Sequence, residues 1–106
     1  MKKLQSGFKI QTFELLGILE KESKGNIESK GVNINNVEIN KNNIEFRVSR
    51  INDLGKLETS EFYISNQELI TMLDNNFGLS GIEDSKIINI KLNNEELELQ
   101  VEKEVE

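Results

Sequence analysis

Five residue types are missing from this chain of 106 residues: cysteine, histidine, proline, alanine and tryptophan. Without cysteine and histidine, the chain can form no disulfide, no thiolate or imidazole metal site, no cysteine nucleophile and no histidine general base. An enzyme is therefore the least expected class of protein. We predict no catalytic residue, no metal site and no cofactor.

Long apolar runs are missing as well. No segment reaches the roughly 18 uninterrupted apolar residues that a membrane-spanning helix needs. Lys2 and Lys3 could begin a signal peptide, but Gln5, Ser6 and Lys9 interrupt the apolar stretch that would have to follow. We therefore expect a cytoplasmic protein that does not bind membranes.

Basic charge is scarce in the second half of the chain. The net charge is −6, with 13 Lys and Arg against 19 Asp and Glu. Residues 1–53 carry a net charge of +2, whereas residues 54–106 carry −8. Because affinity for nucleic acid depends largely on Lys and Arg neutralising phosphates, nucleic acid is a less favoured partner than a protein with a basic surface.

What the chain has in abundance is asparagine, which occurs 14 times, together with Ile, Leu, Glu and Lys. Hydrophobic residues make up 36% of the sequence and recur with clear periods, which is typical of a folded domain rather than of a disordered chain. This amino-acid composition resembles that of proteins encoded by AT-rich genomes. Small size with such a composition is also typical of accessory proteins of phages and plasmids.

Two segments have the period-two alternation of β-hairpins. In the first, residues 37–39 lead through an asparagine-rich turn into Ile44, Phe46 and Val48. In the second, residues 88–92 lead through Asn93 and Asn94 into a strand that continues to residue 101. Asparagine tolerates the left-handed conformation that tight turns require, so both segments predict hairpins. A further turn at residues 52–55 predicts another strand, which ends at Ile64.

Two helices are predicted. Ser65 and Glu68 have the spacing of a capping box before an apolar face that ends at Gly78. Thr12 could cap a second helix that continues to about Lys24. The alternative for this N-terminal region is a strand over residues 7–19, so residues 7–24 are open between helix and strand.

These elements predict one α+β domain over residues 1–106, in which an antiparallel sheet of about five strands packs with two helices. The two asparagine-rich hairpins are loosely alike. Their similarity covers too few residues to indicate an internal repeat.

The most distinctive surface feature is the acidic face of the last strand. Its even positions are almost all acidic, namely Glu96, Glu98, Glu102 and Glu104, and its odd positions are mainly apolar. We name these four glutamates the acidic ridge, because side chains two apart lie on one face of a strand. The ridge is our candidate site for a basic partner. The alternative is an ordinary solvated face, whose charges would protect the edge of a sheet from aggregation.

The two arginines, Arg47 and Arg50, lie close together in the sequence. On a regular strand they point to opposite faces, so they do not form one anion site. We expect each to form ion pairs with glutamates instead.

The favoured function is a non-catalytic protein-interaction module, such as an accessory, inhibitor or immunity-type protein. One alternative is a nucleic-acid-binding protein of winged-helix type, with a short helix around residues 81–86 and a wing formed by residues 87–101. Another is a structural subunit of a larger assembly. The sequence does not predict the oligomeric state.

Overall fold

A computed structural model describes residues 2–78, 82 and 84–105 of the chain. The elements in chain order are β1 (Lys2–Gln11), α1 (Thr12–Glu22), β2 (Val32–Asn40), β3 (Asn43–Ile51), β4 (Leu57–Ser65), α2 (Asn66–Phe77), β5 (Lys86–Asn93) and β6 (Glu96–Val105). All strand pairs are antiparallel.

The α+β class, the two helices and the antiparallel pairing are confirmed. The prediction of a single sheet is corrected, since the strands form two three-stranded sheets with the orders β1-β6-β5 and β2-β3-β4. The described residues contain six strands rather than five, because β1 precedes the first helix.

The N-terminal region contains both of the elements that the sequence left open. Phe8 and Ile10 alternate with polar residues in β1, and the strand passes directly into α1. The helix cap is Gln11 rather than Thr12, and the backbone N–H of Gln11 donates to the Glu14 carboxylate at 3.3 Å. The helix ends at Glu22, close to the predicted end.

Helix α2 begins and ends as the sequence predicts. The Ser65 hydroxyl accepts a hydrogen bond from the backbone N–H of Glu68 at 3.1 Å. Gly78 adopts a left-handed conformation with φ = 60°, which glycine takes without steric cost, and its N–H donates to the carbonyl of Asp74.

The order strand, helix, strand, strand occurs twice, and we interpret it as an internal duplication that the two hairpins alone were too short to indicate. Repeat 1 consists of β1, α1, β2 and β3, and repeat 2 consists of β4, α2, β5 and β6. Residues 8–22 align without gaps with residues 62–76, and residues 34–51 with residues 87–104. The identical pairs are Phe8/Phe62, Ile10/Ile64, Glu14/Glu68, Leu15/Leu69, Leu19/Leu73, Ile34/Ile87, Asn36/Asn89, Asn40/Asn93, Glu45/Glu98 and Val48/Val101.

Backbone irregularities are repeated at matching positions. Both β2 and β5 contain a register shift, just after Ile34 and just after Ile87. The hairpin turns place Lys41 and Asn94 at φ values of 58° and 59°. Such rare features are specific to a local fold, so their agreement supports the duplication independently of residue identity.

Each repeat contributes its first strand to the sheet of the other repeat. Strand β1 of repeat 1 pairs with β6, and β4 of repeat 2 pairs with β3. The registers are equivalent, since Phe8 lies opposite Leu99 and Phe62 opposite Phe46. The two repeats are therefore joined by reciprocal strand exchange.

The buried hydrophobic residues form one cluster that both repeats share. Equivalent positions are buried in pairs: Ile10/Ile64, Leu15/Leu69, Leu16/Ile70, Leu19/Leu73, Ile34/Ile87, Ile44/Leu97, Phe46/Leu99 and Val48/Val101. Equivalent elements also touch each other, α1 against α2 and β2 against β5. Contacts of this kind are expected at an approximate twofold axis through the centre of the molecule.

The molecule is elongated, with dimensions of 56 × 22 × 21 Å. A strand of ten residues spans only about 33 Å, so the two sheets are displaced from each other along the long axis. We call residues 47–61 the β3–β4 arm, and residues 2–7 together with 100–105 the β1–β6 arm. Residues 2–7 and 57–61 are exposed, because neither helix covers these parts of the strands.

The winged-helix alternative depends on a helix around residues 81–86. Residues 81 and 83 lie outside the described part of the chain, and Lys86 begins β5. The predicted wing corresponds to the β5–β6 hairpin. Nucleic-acid binding stays a prediction.

Candidate functional site

The acidic ridge lies on the central strand of its sheet. Strand β6 is flanked by β1 on one side and by β5 on the other. The charges of Glu96, Glu98, Glu102 and Glu104 therefore do not protect a sheet edge, which was one part of the alternative to a binding site.

Lysines face the ridge from both neighbouring strands. Lys3 lies opposite Glu104 and Lys9 opposite Glu98 on β1, while β5 places Lys86 opposite Glu102 and Lys91 opposite Glu98. Directly opposite residues of an antiparallel pair point to the same face. The outer face of this sheet thus carries four lysines around the four ridge glutamates.

The distances are those of loose surface ion pairs. The Lys3 ammonium is 3.4 Å from the Glu102 carboxylate, and the Lys9 ammonium is 3.9 Å from Glu96 and 3.8 Å from Glu98. Each such exposed pair stabilises the fold by about 0–1 kcal/mol. Because the lysine rows neutralise much of its field, the ridge has a weaker attraction for a basic partner than a bare row of carboxylates would have. Binding at the ridge stays a prediction.

Arg47 and Arg50 point to opposite faces of β3 and form ion pairs with glutamates, as predicted. Two nitrogens of the Arg47 guanidinium donate to one carboxylate oxygen of Glu61, at 2.8 and 3.1 Å. Arg50 lies on the inner face between Glu28 and Glu58. The hydrogen bond to Glu28, helped by the charge of that carboxylate, raises the pKa of the Arg50 guanidinium above its ordinary value.

Arg50 also lines a groove of about 360 Å³ between the loop after α1 and the inner face of the β3–β4 arm. Ile27, Val48 and Phe62 contribute apolar wall, and Ser60 contributes a hydroxyl. The two glutamates already neutralise Arg50, so the groove offers no unpaired cation to an anionic ligand.

Three of the exposed large apolar side chains in the described residues lie together at the end of the β3–β4 arm. Ile51 and Leu57 are directly opposite each other on the outer face, and they are 64% and 66% exposed. Leu54, in the turn between them, is 81% exposed. We call these three residues the apolar tip.

An ordered turn presents the apolar tip. The side-chain oxygen of Asn52 accepts hydrogen bonds from the backbone N–H groups of Leu54 at 2.9 Å and Lys56 at 3.0 Å. The backbone N–H of Asn52 donates to the carbonyl of Lys56 at 2.8 Å. Gly55 supplies the left-handed residue, with φ = 75°. Leu54 is therefore held in place while its side chain remains in water.

The duplication provides an internal control for the apolar tip. In the β1–β6 arm, the positions equivalent to Ile51 and Leu57 are occupied by Glu104 and Lys3. The same backbone thus accepts a charged pair at this place. The fold does not require two exposed aliphatic side chains there.

Sequence reasoning identified the turn but missed the tip. Ile51 and Leu57 have odd positions, whereas the buried residues Ile44, Phe46 and Val48 of β3 have even positions. An apolar residue out of phase with the core face is the signal that could have found it.

The described residues contain no group of three or more acidic side chains close enough to hold a metal ion. No helix among them is long and apolar enough to cross a membrane. Neither a protein-family model, nor a curated protein, nor a solved structure matches the chain.

Proposed function

We propose that this protein is a non-catalytic protein-interaction module that docks its partner at the apolar tip of the β3–β4 arm. The partner is a protein with an apolar cleft, because the tip offers three aliphatic side chains and only the rigid backbone of a turn as its polar component. This replaces electrostatic docking at the acidic ridge as the favoured mode.

The observation that carries the proposal is the difference between the two equivalent arms. At equivalent positions, one arm carries Ile51 and Leu57 and the other carries Glu104 and Lys3. Exposed aliphatic residues reduce solubility, and the duplicated backbone tolerates charges at this place. Binding to a partner therefore explains the exposed pair Ile51 and Leu57 better than a structural requirement does.

The position of the tip also suits docking. It lies at the end of an arm that neither helix covers, so a partner can reach it without displacing any packed element. Its turn is already ordered by Asn52, so binding orders little additional backbone, which lowers the entropic cost of association.

The test is site-specific photo-crosslinking in the source cell. A photoreactive amino acid at position 54 should give a discrete adduct of higher mass. The double variant Ile51→Glu with Leu57→Lys should lose that adduct, because it transfers the charged pair of the other arm and removes the apolar surface. Unchanged circular dichroism and melting temperature would show that the variant folds.

Position 94 provides the matched control. Asn94 lies in the turn of the β5–β6 hairpin and should give no discrete adduct. Equal adducts from positions 54 and 94, or an adduct at position 54 that survives the double substitution, would contradict docking at the tip. The absence of any adduct at position 54 would also contradict it.

A further inference from the structure

The duplication leaves two equivalent strands at the outer edges of the molecule. Strand β1 is the edge of its sheet and β4 is the edge of the other. At the opposite edges, β5 and β2 lie against each other in the centre. No other strand of the described residues pairs with the outer edge of β1 or of β4.

These two edge strands carry opposite charges. Strand β1 contains Lys2, Lys3 and Lys9 and no acidic residue, whereas β4 contains Glu58 and Glu61 and no basic residue. Like charges prevent an edge from pairing with the same edge of another copy. Opposite charges favour the pairing of unlike edges.

We infer that the partner of these edges is a second copy of this chain, whose β4 adds antiparallel to β1 and continues the sheet from one molecule into the next. The main-chain hydrogen bonds of the new strand pair would hold the contact, and the lysines and glutamates would select its orientation. This inference concerns a different surface from the apolar tip and does not rest on it.

One register brings Lys9 and Glu61 together, while Lys3 and Glu58 lie beyond the paired residues and contribute only to the overall charge of their edges. With Lys9 opposite Glu61, the antiparallel pairing places Phe8 opposite Phe62 on the inner faces and Gly7 opposite Tyr63 on the outer faces. Tyr63 is 58% exposed within its own molecule, and Gly7 leaves room for its ring. Cross-strand aromatic pairs and an aromatic ring over a glycine are both stabilising arrangements in sheets.

The charges of the two edges have partners within the chain, but these partners lie on one side only. Lys9 reaches inward to Glu96 and Glu98, and Glu61 is bound from the inward side by Arg47. The side chains of Lys9 and Glu61 remain 63% and 48% exposed. An incoming strand can therefore meet them from the outward side without breaking the existing pairs.

The contact joins different edges, so it does not close on itself by a twofold operation. Each copy would retain one edge of each kind, and association would continue to longer assemblies as concentration rises. The net charge of −6 opposes this growth at low salt, while added salt weakens the ion pairs between the edges. Salt dependence alone is thus a poor test, and exchange of the charges is a better one.

The first experiment measures molar mass by sedimentation over a range of concentrations. The wild-type mass should rise from 12.1 kDa towards twice that value and beyond. Lys3→Glu with Lys9→Glu makes both edges acidic and should remain monomeric. Glu58→Lys with Glu61→Lys makes both edges basic and should also remain monomeric. An equal mixture of the two variants should associate again, because every contact then joins unlike edges.

The matched control is Lys86→Glu with Lys91→Glu. These lysines lie beside the ridge glutamates on β5, which is not an outer edge. The control variant changes the net charge of the protein by the same amount as Lys3→Glu with Lys9→Glu. It should associate like the wild type, and Leu54→Ser at the apolar tip should do so too. Melting curves of all variants would identify any loss of folding.

The second experiment uses the absence of cysteine in the chain. A mixture of Lys9→Cys and Glu61→Cys proteins should form a disulfide heterodimer under mild oxidation. Each variant alone should cross-link at least tenfold more slowly, and so should a mixture of Lys91→Cys with Glu61→Cys. A wild type that is monomeric at all concentrations, a mixture of charge variants that stays monomeric, or equal cross-linking in all mixtures would overturn the inference.

Discussion

The two halves of this molecule share a backbone and differ in their surfaces. Both repeats have the same order of elements, the same register shift and a left-handed residue at the same place in the hairpin turn. Their buried positions match in pairs. The outer face of the β1–β6 arm, by contrast, carries Lys3, Glu102 and Glu104, while the β3–β4 arm ends in the apolar tip.

This difference separates the residues that the fold needs from those that it does not need. A feature present in both repeats, such as Leu19 with Leu73, belongs to the shared core. A feature present in one repeat only, such as Ile51 where repeat 2 has Glu104, is not required by the shared fold. The following predictions test how far this separation holds, in order of decreasing effect.

Removal of a shared core residue should have the largest effect, and the effect should be similar in both repeats. Leu19 and Leu73 are fully buried at equivalent positions on α1 and α2. Leu19→Ala and Leu73→Ala should each lower the free energy of unfolding by about 2–5 kcal/mol. Urea unfolding monitored by circular dichroism measures this. A change below about half a kcal/mol in either variant would show that its helix does not pack as described.

Substitution of Asn66 in repeat 2 should destabilise the protein more than substitution of its equivalent, Thr12, in repeat 1. Its buried side-chain amide donates to the carbonyl of Ile87 at 3.0 Å and accepts from the N–H of the same residue at 3.1 Å. Asn66→Ala should cost about 1–3 kcal/mol, because it leaves buried backbone groups unpaired. The equivalent Thr12→Ala should cost less than about 1 kcal/mol, since the shorter side chain forms no such pair of bonds. Equal losses in the two variants would contradict this difference between the repeats.

Substitutions at the left-handed residue after each helix should change the stability of the protein in opposite directions. Lys24 and Gly78 occupy equivalent positions with φ values of 56° and 60°. Lys24→Gly should stabilise the protein slightly, and Gly78→Lys should destabilise it by about 1–2 kcal/mol, because a side chain is strained in the left-handed region. Thermal melting measures both shifts. A melting temperature that falls in both variants would show that Lys24 contributes more through its side chain than through its backbone.

Substitutions in the acidic ridge should have the smallest effect on stability. Glu98→Gln with Glu102→Gln removes two charges that lie among lysines, so stability should change by less than about 1 kcal/mol. If the apolar tip is the docking site, the adduct formed at position 54 should be unchanged in this variant. A partner that associates more slowly with the double variant, and whose binding weakens with salt, would restore the ridge as the site.

Local patterns in the sequence predicted most of the elements. The capping residues Ser65 and Glu68, the glycine at position 78 and the two asparagine-rich turns act within a few residues, so their effect can be recognised without a tertiary structure. The N-terminal region was ambiguous because a strand and a helix follow each other there without a loop at Gln11.

The candidate site was less predictable. The parity of Glu96–Glu104 indicated a shared face, but it did not indicate that β6 is a central strand with lysines on both sides. Those lysines lie on β1 and β5, and β1 is about 90 residues away in the chain. The apolar tip gave only a weak signal, because an exposed aliphatic residue is unremarkable until its equivalent position is known.

The sequence by itself determined the α+β class, the hairpins, the ends of α2 and the opposite directions of Arg47 and Arg50, because each depends on periodicity or capping over short distances. Only the tertiary structure decided that the strands divide into two sheets, that the repeats exchange their first strands, and that β1 and β4 are the outer edges. These features depend on which distant strands pair. Pairing is set by the burial of both repeats in one core, and that burial is a property of the whole chain.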